Sequence, residues 1–162
     1  MPSDRFLVPF LLALLLVGCG AKSVGDQLIS AFGGPLPGRP QAVFPTVSVT
    51  LELARTEPER EKGLGGHAPL GERDGMLFIF DRPATYSFWM KGMTFALDMM
   101  WIDAGKVVHL ERNVPPPAPG TPESAYPVYT PRAAARYVLE VNAGFAGRYS
   151  IDAGTPVEFR GI

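Results

Sequence analysis

The fold of this 162-residue chain is decided by the stretch SFWMKGMTFALDMMWIDAGKVVHLER, residues 87–112. Leu97–Ile102 is apolar except at Asp98, and a short apolar run between turn signals is typical of a buried strand. Gly105 follows in a short turn, where glycine supplies the positive φ of a tight hairpin. Val107–Arg112 then reads as the returning strand. The stretch therefore predicts a β-hairpin.

Further strands and short helices are predicted on both sides of this hairpin. Val47–Ala54 alternates apolar and polar residues, which is typical of a half-buried strand. Thr56 and Glu59 have the spacing of a capping box at the start of a short helix, and Gly63 can end that helix. The other predicted elements are strands at Met76–Phe80, Tyr86–Met90, Arg136–Val141 and Val157–Phe159, a turn at Asp81–Ala84, a Pro-rich loop at Val114–Ser124, and a helix over Ala143–Tyr149 capped by Asn142.

Short strands at close spacing define the expected fold class. Strands of this length with almost no helix favour a sandwich or a barrel. We therefore predict an all-β domain, mainly β with one or two short helices, arranged as a β-sandwich or barrel.

The N-terminus has the features of a secretion signal. A charged start precedes an apolar run over residues 6–17, which is shorter than the roughly 20 residues of a membrane-spanning helix. Leu16–Cys19 resembles a bacterial lipobox, and this resemblance implies that Cys19 is acylated and becomes the mature N-terminus. The alternative is a plain cleaved signal with an unmodified cysteine.

These features divide the chain into three segments. Residues 1–18 are predicted to be a lipoprotein signal peptide, and residues 19–45 a lipidated N-terminus with a Gly/Pro-rich tether. Residues 46–162 are predicted to be a single β-sandwich domain. We expect the N-terminal lipid to hold the protein in the cell envelope, on the periplasmic side of the outer membrane.

Composition and spacing exclude several function classes. The formal net charge is −1 and no Lys/Arg-rich run occurs, so no nucleic-acid partner is expected. The single cysteine excludes a disulfide framework. His109 and Glu111 could form half of a metal site, but zinc takes three or four ligands and no third is indicated, so neither metal nor cofactor is predicted.

Several spaced motifs between Val47 and Phe159 resemble one family, the bacterial and archaeal "domain of unknown function 192" proteins. The motifs occur in order as Thr56, Glu59-Arg60, Gly63-Leu64, Gly75–Phe80, Phe88–Lys91, Leu97-Asp98 and Tyr137–Gly144. The resemblance implies an all-β, jelly-roll-like sandwich with a short helix or two, in proteins that are often exported or lipid-anchored. It implies no settled activity.

The chain departs from the family pattern at four places. Gly65–His67 stands where the family commonly has Met and a nearby Arg, and Gly92–Thr94 follows Lys91 in place of Asn-Thr. Ala96 replaces the usual Pro, and Gly154-Thr155 replaces a Gly-Asp turn. A family site that used the Arg near position 66 would be in doubt here.

Asp98 is the first candidate site residue. A carboxylate on an apolar strand face is costly unless it is hydrogen-bonded or paired. A backbone N–H pair or one of the cations Lys91, Arg60, Arg132 and Arg136 could meet it. Three roles remain open: a structural carboxylate that ties a loop to the sheet, a polar group in a ligand pocket, and a catalytic acid or base.

Phe88-Trp89-Met90 is the second candidate, because alternation places one of its faces in the core and leaves the other open. An aromatic ring and a thioether on an open face suit a binding cleft, although core packing remains the alternative for Trp89. Taken together, Trp89, Met90, Lys91, Asp98 and Arg60 are the predicted ligand-binding residues, with no catalytic residue among them.

The sequence supports three functional hypotheses. The first is a lipid-anchored envelope protein that acts as a small binding or accessory module, without catalysis, for a small molecule or an envelope protein. The second is an envelope hydrolase that uses Asp98 with an Arg or Lys. The third is a structural partner in an envelope complex. The first is favoured because nothing in the sequence assembles a nucleophile, a base and an oxyanion site.

Overall fold

The structure is a computed structural model that describes residues 38–162. Its strands are β1 (Gln41–Val43), β2 (Ser48–Ala54), β3 (Asp74–Ala84), β4 (Leu97–Asp103), β5 (Lys106–Val114), β6 (Ala135–Asn142) and β7 (Glu158–Arg160). Two short α-helices, α1 (Glu57–Lys62) and α2 (Phe145–Arg148), and a 3₁₀ turn at Glu123–Ala125 complete the regular structure of this part of the chain.

The seven strands form one sheet in the order β5-β4-β6-β3-β2-β1-β7. Only β2 and β3 pair in parallel, and the connection between them carries α1, as a parallel pair requires a crossover. The sheet curls into a half-barrel, and backbone hydrogen bonds join Val107 of β5 to Gly154 and Thr155, which lie shortly before β7. The prediction of a mainly β domain with short helices is confirmed, whereas a sandwich of two sheets or a jelly roll is not observed in residues 38–162.

Strand β4 lies at the centre of the packing, because both of its faces are covered. Leu97, Met99 and Trp101 belong to one hydrophobic cluster, and Met100 and Ile102 on the opposite face belong to the other. These five side chains are fully buried. This double coverage explains why the strand reads as a continuous apolar run rather than as an alternating one.

Most predicted elements are confirmed. The hairpin between β4 and β5 forms, with Gly105 at a φ of 71°. The capping box of α1 is present in full, with the Thr56 hydroxyl accepting from the Glu59 backbone N–H and the Glu59 carboxylate accepting from the Thr56 N–H. The strands predicted from Val47, Met76, Leu97, Val107, Arg136 and Val157 all occur, with bounds that shift by a few residues.

Three local predictions are wrong. Tyr86–Met90 is not a strand, since Phe88 makes only an isolated bridge to Tyr129. The predicted turn at Asp81–Ala84 is the continuation of β3, which extends to Ala84 with an irregular register. Asn142 does not cap α2; its side-chain amide donates to the carbonyl groups of Leu70 and Gly71 instead.

The start of the domain also differs from the expected boundary. Strand β1 lies within residues 19–45, the predicted tether, and it pairs with both β2 and β7. The folded sheet therefore begins before residue 46. The predicted signal peptide, the lipobox and Cys19 lie outside the described residues. Within residues 38–162, no helix has the length and apolar character needed to cross a bilayer.

Candidate functional site

A small pocket lies between helix α1 and the segment Tyr86–Met93. We call it the Glu140 pocket. Its volume is about 50 Å³, and its lining includes the buried residues Phe78 and Glu140 and the more exposed residues Arg60, Lys62, Trp89 and Lys91. Two shallower depressions adjoin it along α1 and the aromatic residues of the segment. The pocket is therefore the inner end of a longer groove.

Helix α1 positions one wall of this pocket. Its capping box fixes where the helix begins, and Leu64, just after its end, packs into the core with 2 % exposure. Arg60 donates hydrogen bonds to the carbonyl groups of Arg55 and Ile79. Its guanidinium carbon lies 5.0 Å from the centre of the Phe80 ring, within the range of a cation–π contact. Arg60 is thus held by backbone and an aromatic face, with no carboxylate paired to it within residues 38–162.

The opposite wall is the aromatic segment Tyr86–Met93. Backbone hydrogen bonds in both directions between Phe88 and Tyr129 hold the segment against the Pro-rich loop region. Phe88 packs edge-on against Phe78 at 4.9 Å and against Trp101 at 5.9 Å. These contacts fix the ring of Phe88 as a rigid apolar surface of the pocket.

Trp89 and Lys91 form the outer edge of the same wall. Trp89 is 45 % exposed, which is unusual for so large an apolar side chain. The Lys91 Nζ atom lies 5.3 Å from the centre of the Trp89 ring and 2.9 Å from Glu123. Of the two alternatives that the sequence left for Trp89, this exposure agrees with a place on an open face and not with core packing.

Glu140 is the residue that sequence reasoning missed. It lies on β6, paired with Met76 of β3 and Met99 of β4, and it is only 4 % exposed. No residue among 38–162 donates a hydrogen bond to its carboxyl group or forms an ion pair with it. Every fully enclosed polar side-chain atom of the described residues does have a partner. The Glu140 oxygens therefore reach the pocket space rather than being sealed in the core.

Burial raises the pKa of Glu140 to about 8, and desolvation is the cause. A carboxyl group with such a pKa is mostly protonated at neutral pH. Besides the family motif Tyr137–Gly144, the sequence signal was the alternation of Arg136–Val141, which puts Glu140 on the same face as the buried Val138. A charged residue at an apolar position of a central strand marks a candidate site.

Two of the five predicted site residues do not belong to the pocket. Met90 is buried in the core with 2 % exposure. Asp98 lies on the face of β4 that it shares with Met100 and Ile102, opposite to the face of Trp101. The structure thus brings Arg60, Trp89 and Lys91 together, and it replaces Asp98 by Glu140 as the carboxyl group beside them.

Asp98 has a complete set of backbone partners. One carboxylate oxygen accepts from the N–H groups of Asn113 at 2.7 Å and Gly144 at 3.2 Å, and the other from Ala146 at 2.8 Å. The Ala146 N–H is an otherwise unsatisfied donor in the first turn of α2. The geometry therefore matches the structural alternative, a carboxylate that ties a loop and a helix start to the sheet.

Two of the departures from the family pattern are neighbours in space. The Gly66 N–H donates to the Gly92 carbonyl at 3.0 Å. A Cβ at Gly65 would lie 3.2 Å from the Lys91 carbonyl oxygen, so any larger residue would push the two turns apart by a few tenths of an ångström. The Gly65-Gly66 turn and the Lys91-Gly92 turn thus shape one end of the pocket together.

The two residues of the possible metal half-site, His109 and Glu111, hydrogen-bond to each other. His109 and Glu111 contact each other through a ring nitrogen and a carboxylate oxygen at 3.0 Å. Within residues 38–162 no group of three or more His, Cys, Asp or Glu side chains could hold a metal ion.

The sequence of the half-barrel matches the model of one protein family. The profile of the DUF192 family, described as "Uncharacterized ACR", matches residues 42–159, which is more than half of the chain. The chain therefore belongs to the DUF192 family. A search of the curated proteins gave no match.

Two solved structures are similar to this chain. One is a protein from Sinorhizobium meliloti that is proposed to be a transcription regulator, with 26 % identity, a TM-score of 0.65, and coverage of 78 % of this chain and 98 % of that one. The other is a protein of unknown function from Novosphingobium aromaticivorans, with 27 % identity, a TM-score of 0.65, and coverage of 78 % and 88 %.

Proposed function

We propose that this DUF192 protein is a lipid-anchored binding module of the cell envelope, without catalysis, whose ligand site is the Glu140 pocket. The single observation that carries the binding role is the convergence of Arg60, Trp89 and Lys91 around a buried carboxyl group that has no partner of its own. Buried polar groups in folded proteins are nearly always satisfied, so one that faces a pocket is a candidate to be satisfied by a ligand.

The position of Asp98 argues against the hydrolase hypothesis in its original form. Both of its oxygens accept from backbone N–H groups, and it lies on the opposite face of β4 from the pocket. A general acid or base must reach the proton that it transfers. Asp98 cannot do so without breaking the contacts that hold α2.

A role as a transcription regulator, proposed for the Sinorhizobium meliloti protein, has little support in this chain. DNA binding relies on a concentration of Lys and Arg that neutralises phosphates. The formal net charge here is −1, and four of the cations, Lys91, Arg112, Arg148 and Arg160, are already paired with carboxylates.

The lipid anchor rests on the sequence Leu16–Cys19 and needs its own test. Cells that express the full-length protein should be labelled with an alkyne fatty acid, and the protein should be fractionated with the membranes. We expect label on the wild type, none on Cys19→Ser, and retention of the wild type in salt-washed membranes. Label that persists in Cys19→Ser would contradict acylation at this residue.

The binding role is tested by a thermal-shift screen of the full-length protein in detergent. The panel contains amines, amino acids, sugars, nucleotides and peptidoglycan fragments, because a ligand that binds only the folded state raises the melting temperature. We expect a shift of several degrees in the wild type that is lost in Trp89→Ala. Turnover of any compound of the panel would contradict the non-catalytic role.

A further inference from the structure

The size of the Glu140 pocket limits what enters it. A cavity needs about 10–15 Å³ to hold one water-sized group. The pocket volume of about 50 Å³ therefore accommodates a chain of roughly three such groups. A sugar ring or a nucleotide base is too large for the inner end, whereas a short aminoalkyl group fits.

The inner surface of the pocket suits a cation. Phe78 and Phe88 supply aromatic walls, and the Glu140 carboxyl group is the polar group between them. A positive charge gains from aromatic faces and from a carboxylate in a desolvated site. The neighbouring cations do not already fill this role, because Arg60 donates to backbone carbonyl groups and Lys91 pairs with Glu123.

The rim of the pocket suits an anion, whereas its inner surface suits a cation. The charged groups around Glu140 are Arg60, Glu61 and Lys62 from α1 and Lys91 from the aromatic segment, while β3 and β4 place Met76 and Met99 beside it. Lys62 makes no ion pair within residues 38–162, and its side chain is exposed. Glu123, the partner of Lys91, lies at the same rim, so three cations face two carboxylates and the remaining positive charge attracts an anionic group.

We infer that the Glu140 pocket binds the primary ammonium group of a small zwitterion, with the ligand's anionic end held at the rim beside Lys62 and Lys91. This inference rests on the proposed function and names its ligand class. Amino acids, which carry a carboxylate, and aminoalkyl phosphates of the lipid head-group type share this chemistry.

A defined pH dependence follows from this arrangement. In the free protein the pKa of Glu140 is about 8, so its carboxyl group is protonated at pH 7. An ammonium group favours the carboxylate, so binding releases a proton from Glu140 below about pH 8. Affinity therefore rises as the pH approaches 8 and levels off above it, as long as the ammonium stays protonated, up to about pH 10. For a neutral ligand that accepts a hydrogen bond from protonated Glu140, affinity would instead fall as the pH rises through about 8.

The experiment is isothermal titration calorimetry on the full-length protein in detergent. The probes are β-alanine and ethanolamine phosphate, which are zwitterions with two different anionic groups. Their matched controls are n-propylamine, which lacks the anion, and propionate, which lacks the ammonium. Each titration is run at pH 7 in two buffers of different ionisation enthalpy, which measures the protons released, and is repeated at pH 9.

We expect at least one zwitterion to bind, propylamine to bind more weakly, and propionate not to bind. Close to one proton should be released per ligand at pH 7, and far less at pH 9. A stronger response to β-alanine indicates an amino-acid ligand, and a stronger response to ethanolamine phosphate indicates a head-group ligand. Propionate binding as tightly as the zwitterions, or binding without proton release, would overturn the inference.

Three variants locate the ammonium contact. Glu140→Gln should lower the affinity about 10- to 100-fold and abolish the proton release, because it removes a charge-assisted hydrogen bond. Lys62→Gln should lower it only about two- to fivefold, as expected for an exposed charge. The matched control Glu61→Gln removes an exposed carboxylate of the same rim and should preserve the proton release.

Failure of this inference is distinguishable from failure of the proposed function. A ligand from the wider panel that is lost in Trp89→Ala, but is not an amine and is indifferent to Glu140→Gln, would overturn the ammonium site and keep the binding module. No response to any compound would contradict both. If Glu140→Gln does not fold, the proton release measured on the wild type still tests whether an ammonium group binds at Glu140.

Discussion

Asp98 and Glu140 are two buried carboxyl groups on neighbouring strands, and their environments are opposite. Asp98 is fully buried on β4 and Glu140 is 4 % exposed on β6. The register places Asp98 opposite Val141, and Met99 opposite Glu140, so the two side chains lie on different faces of the same sheet. Asp98 accepts three backbone hydrogen bonds, whereas Glu140 has none from the described residues.

This difference separates a scaffold residue from a site residue. A buried carboxyl group whose two oxygens both accept hydrogen bonds from the protein holds other parts of the chain in place. It needs no ligand to supply a donor. A buried carboxyl group that faces a pocket without a partner raises the cost of folding, since it loses most of its contact with water and gains no donor from the protein. Isosteric amide substitutions should therefore shift the free energy of unfolding in opposite directions at the two positions.

The largest loss of stability is expected for Asp98→Asn. The amide keeps the shape of the carboxyl group, but its NH₂ faces a backbone N–H where an acceptor is needed. We expect a loss of roughly 2–4 kcal/mol in the free energy of unfolding, because buried donors are left without an acceptor. Urea unfolding followed by tryptophan fluorescence measures it. Asp81→Asn, at an exposed position, is the matched control, and a loss below about 0.5 kcal/mol at Asp98 would contradict the structural role.

The second effect has the opposite sign and depends on pH. The pKa of Glu140 is raised from 4.5 to about 8, so the folded protein keeps a proton that the unfolded chain releases. Its contribution to stability is therefore fully present below about pH 4.5 and is lost as the pH rises to about 8.

Glu140→Gln removes this dependence. Relative to the wild type, the variant should gain a few kcal/mol of unfolding free energy between pH 4.5 and 8, with no further gain above pH 8. Urea unfolding of both proteins across this range gives the difference, in which contributions of all other groups cancel. A difference that stays constant with pH would show that Glu140 is not protonated in the folded state.

The sequence predicted those parts of the fold that local chemistry decides. The alternation of β2, the capping box of α1 and Gly105 in the hairpin each act within a few residues, and each is found where it was expected. The segment Tyr86–Met90 has a strand-like pattern, but it meets only Tyr129 and so forms a single bridge. Periodicity describes the faces of a segment, and it does not say whether a neighbouring strand is available.

The sequence predicted only part of the candidate site, because a local pattern does not show which residues from other strands lie nearby. Asp98 attracted attention because it interrupts an apolar run, a feature visible within one strand. Glu140 was hidden in a regular alternation, and its environment is created by Phe78, Phe88 and Met99 from distant parts of the chain. The absence of a partner depends on tertiary contacts, so no local pattern distinguishes a satisfied carboxyl group from an unsatisfied one.

Thr56→Ala extends the comparison from buried to exposed contacts. The Thr56 side chain caps α1 from within the helix start, whereas Asp98 satisfies the start of α2 from a distant strand. We expect a loss of about 1 kcal/mol in unfolding free energy, smaller than that of Asp98→Asn, because water can reach the freed donor. Thr56→Ser should keep the cap and most of the stability. A loss in Thr56→Ala as large as that of Asp98→Asn would show that exposure does not set the cost.

The smallest effect is expected for Lys91→Gln, which removes the ion pair with Glu123. The two side chains are 51 % and 56 % exposed, and exposed ion pairs contribute little, so the unfolding free energy should change by less than about 0.5 kcal/mol. If Lys91 is part of the rim that attracts an anion, the same variant should still weaken zwitterion binding severalfold. Stability and binding would then separate at Lys91 as we expect them to at Glu140, where removing the carboxyl group should stabilise the fold and weaken ligand binding. A Lys91→Gln protein that loses stability but keeps its affinity would show that Lys91, like Asp98, stabilises the fold and does not bind the ligand.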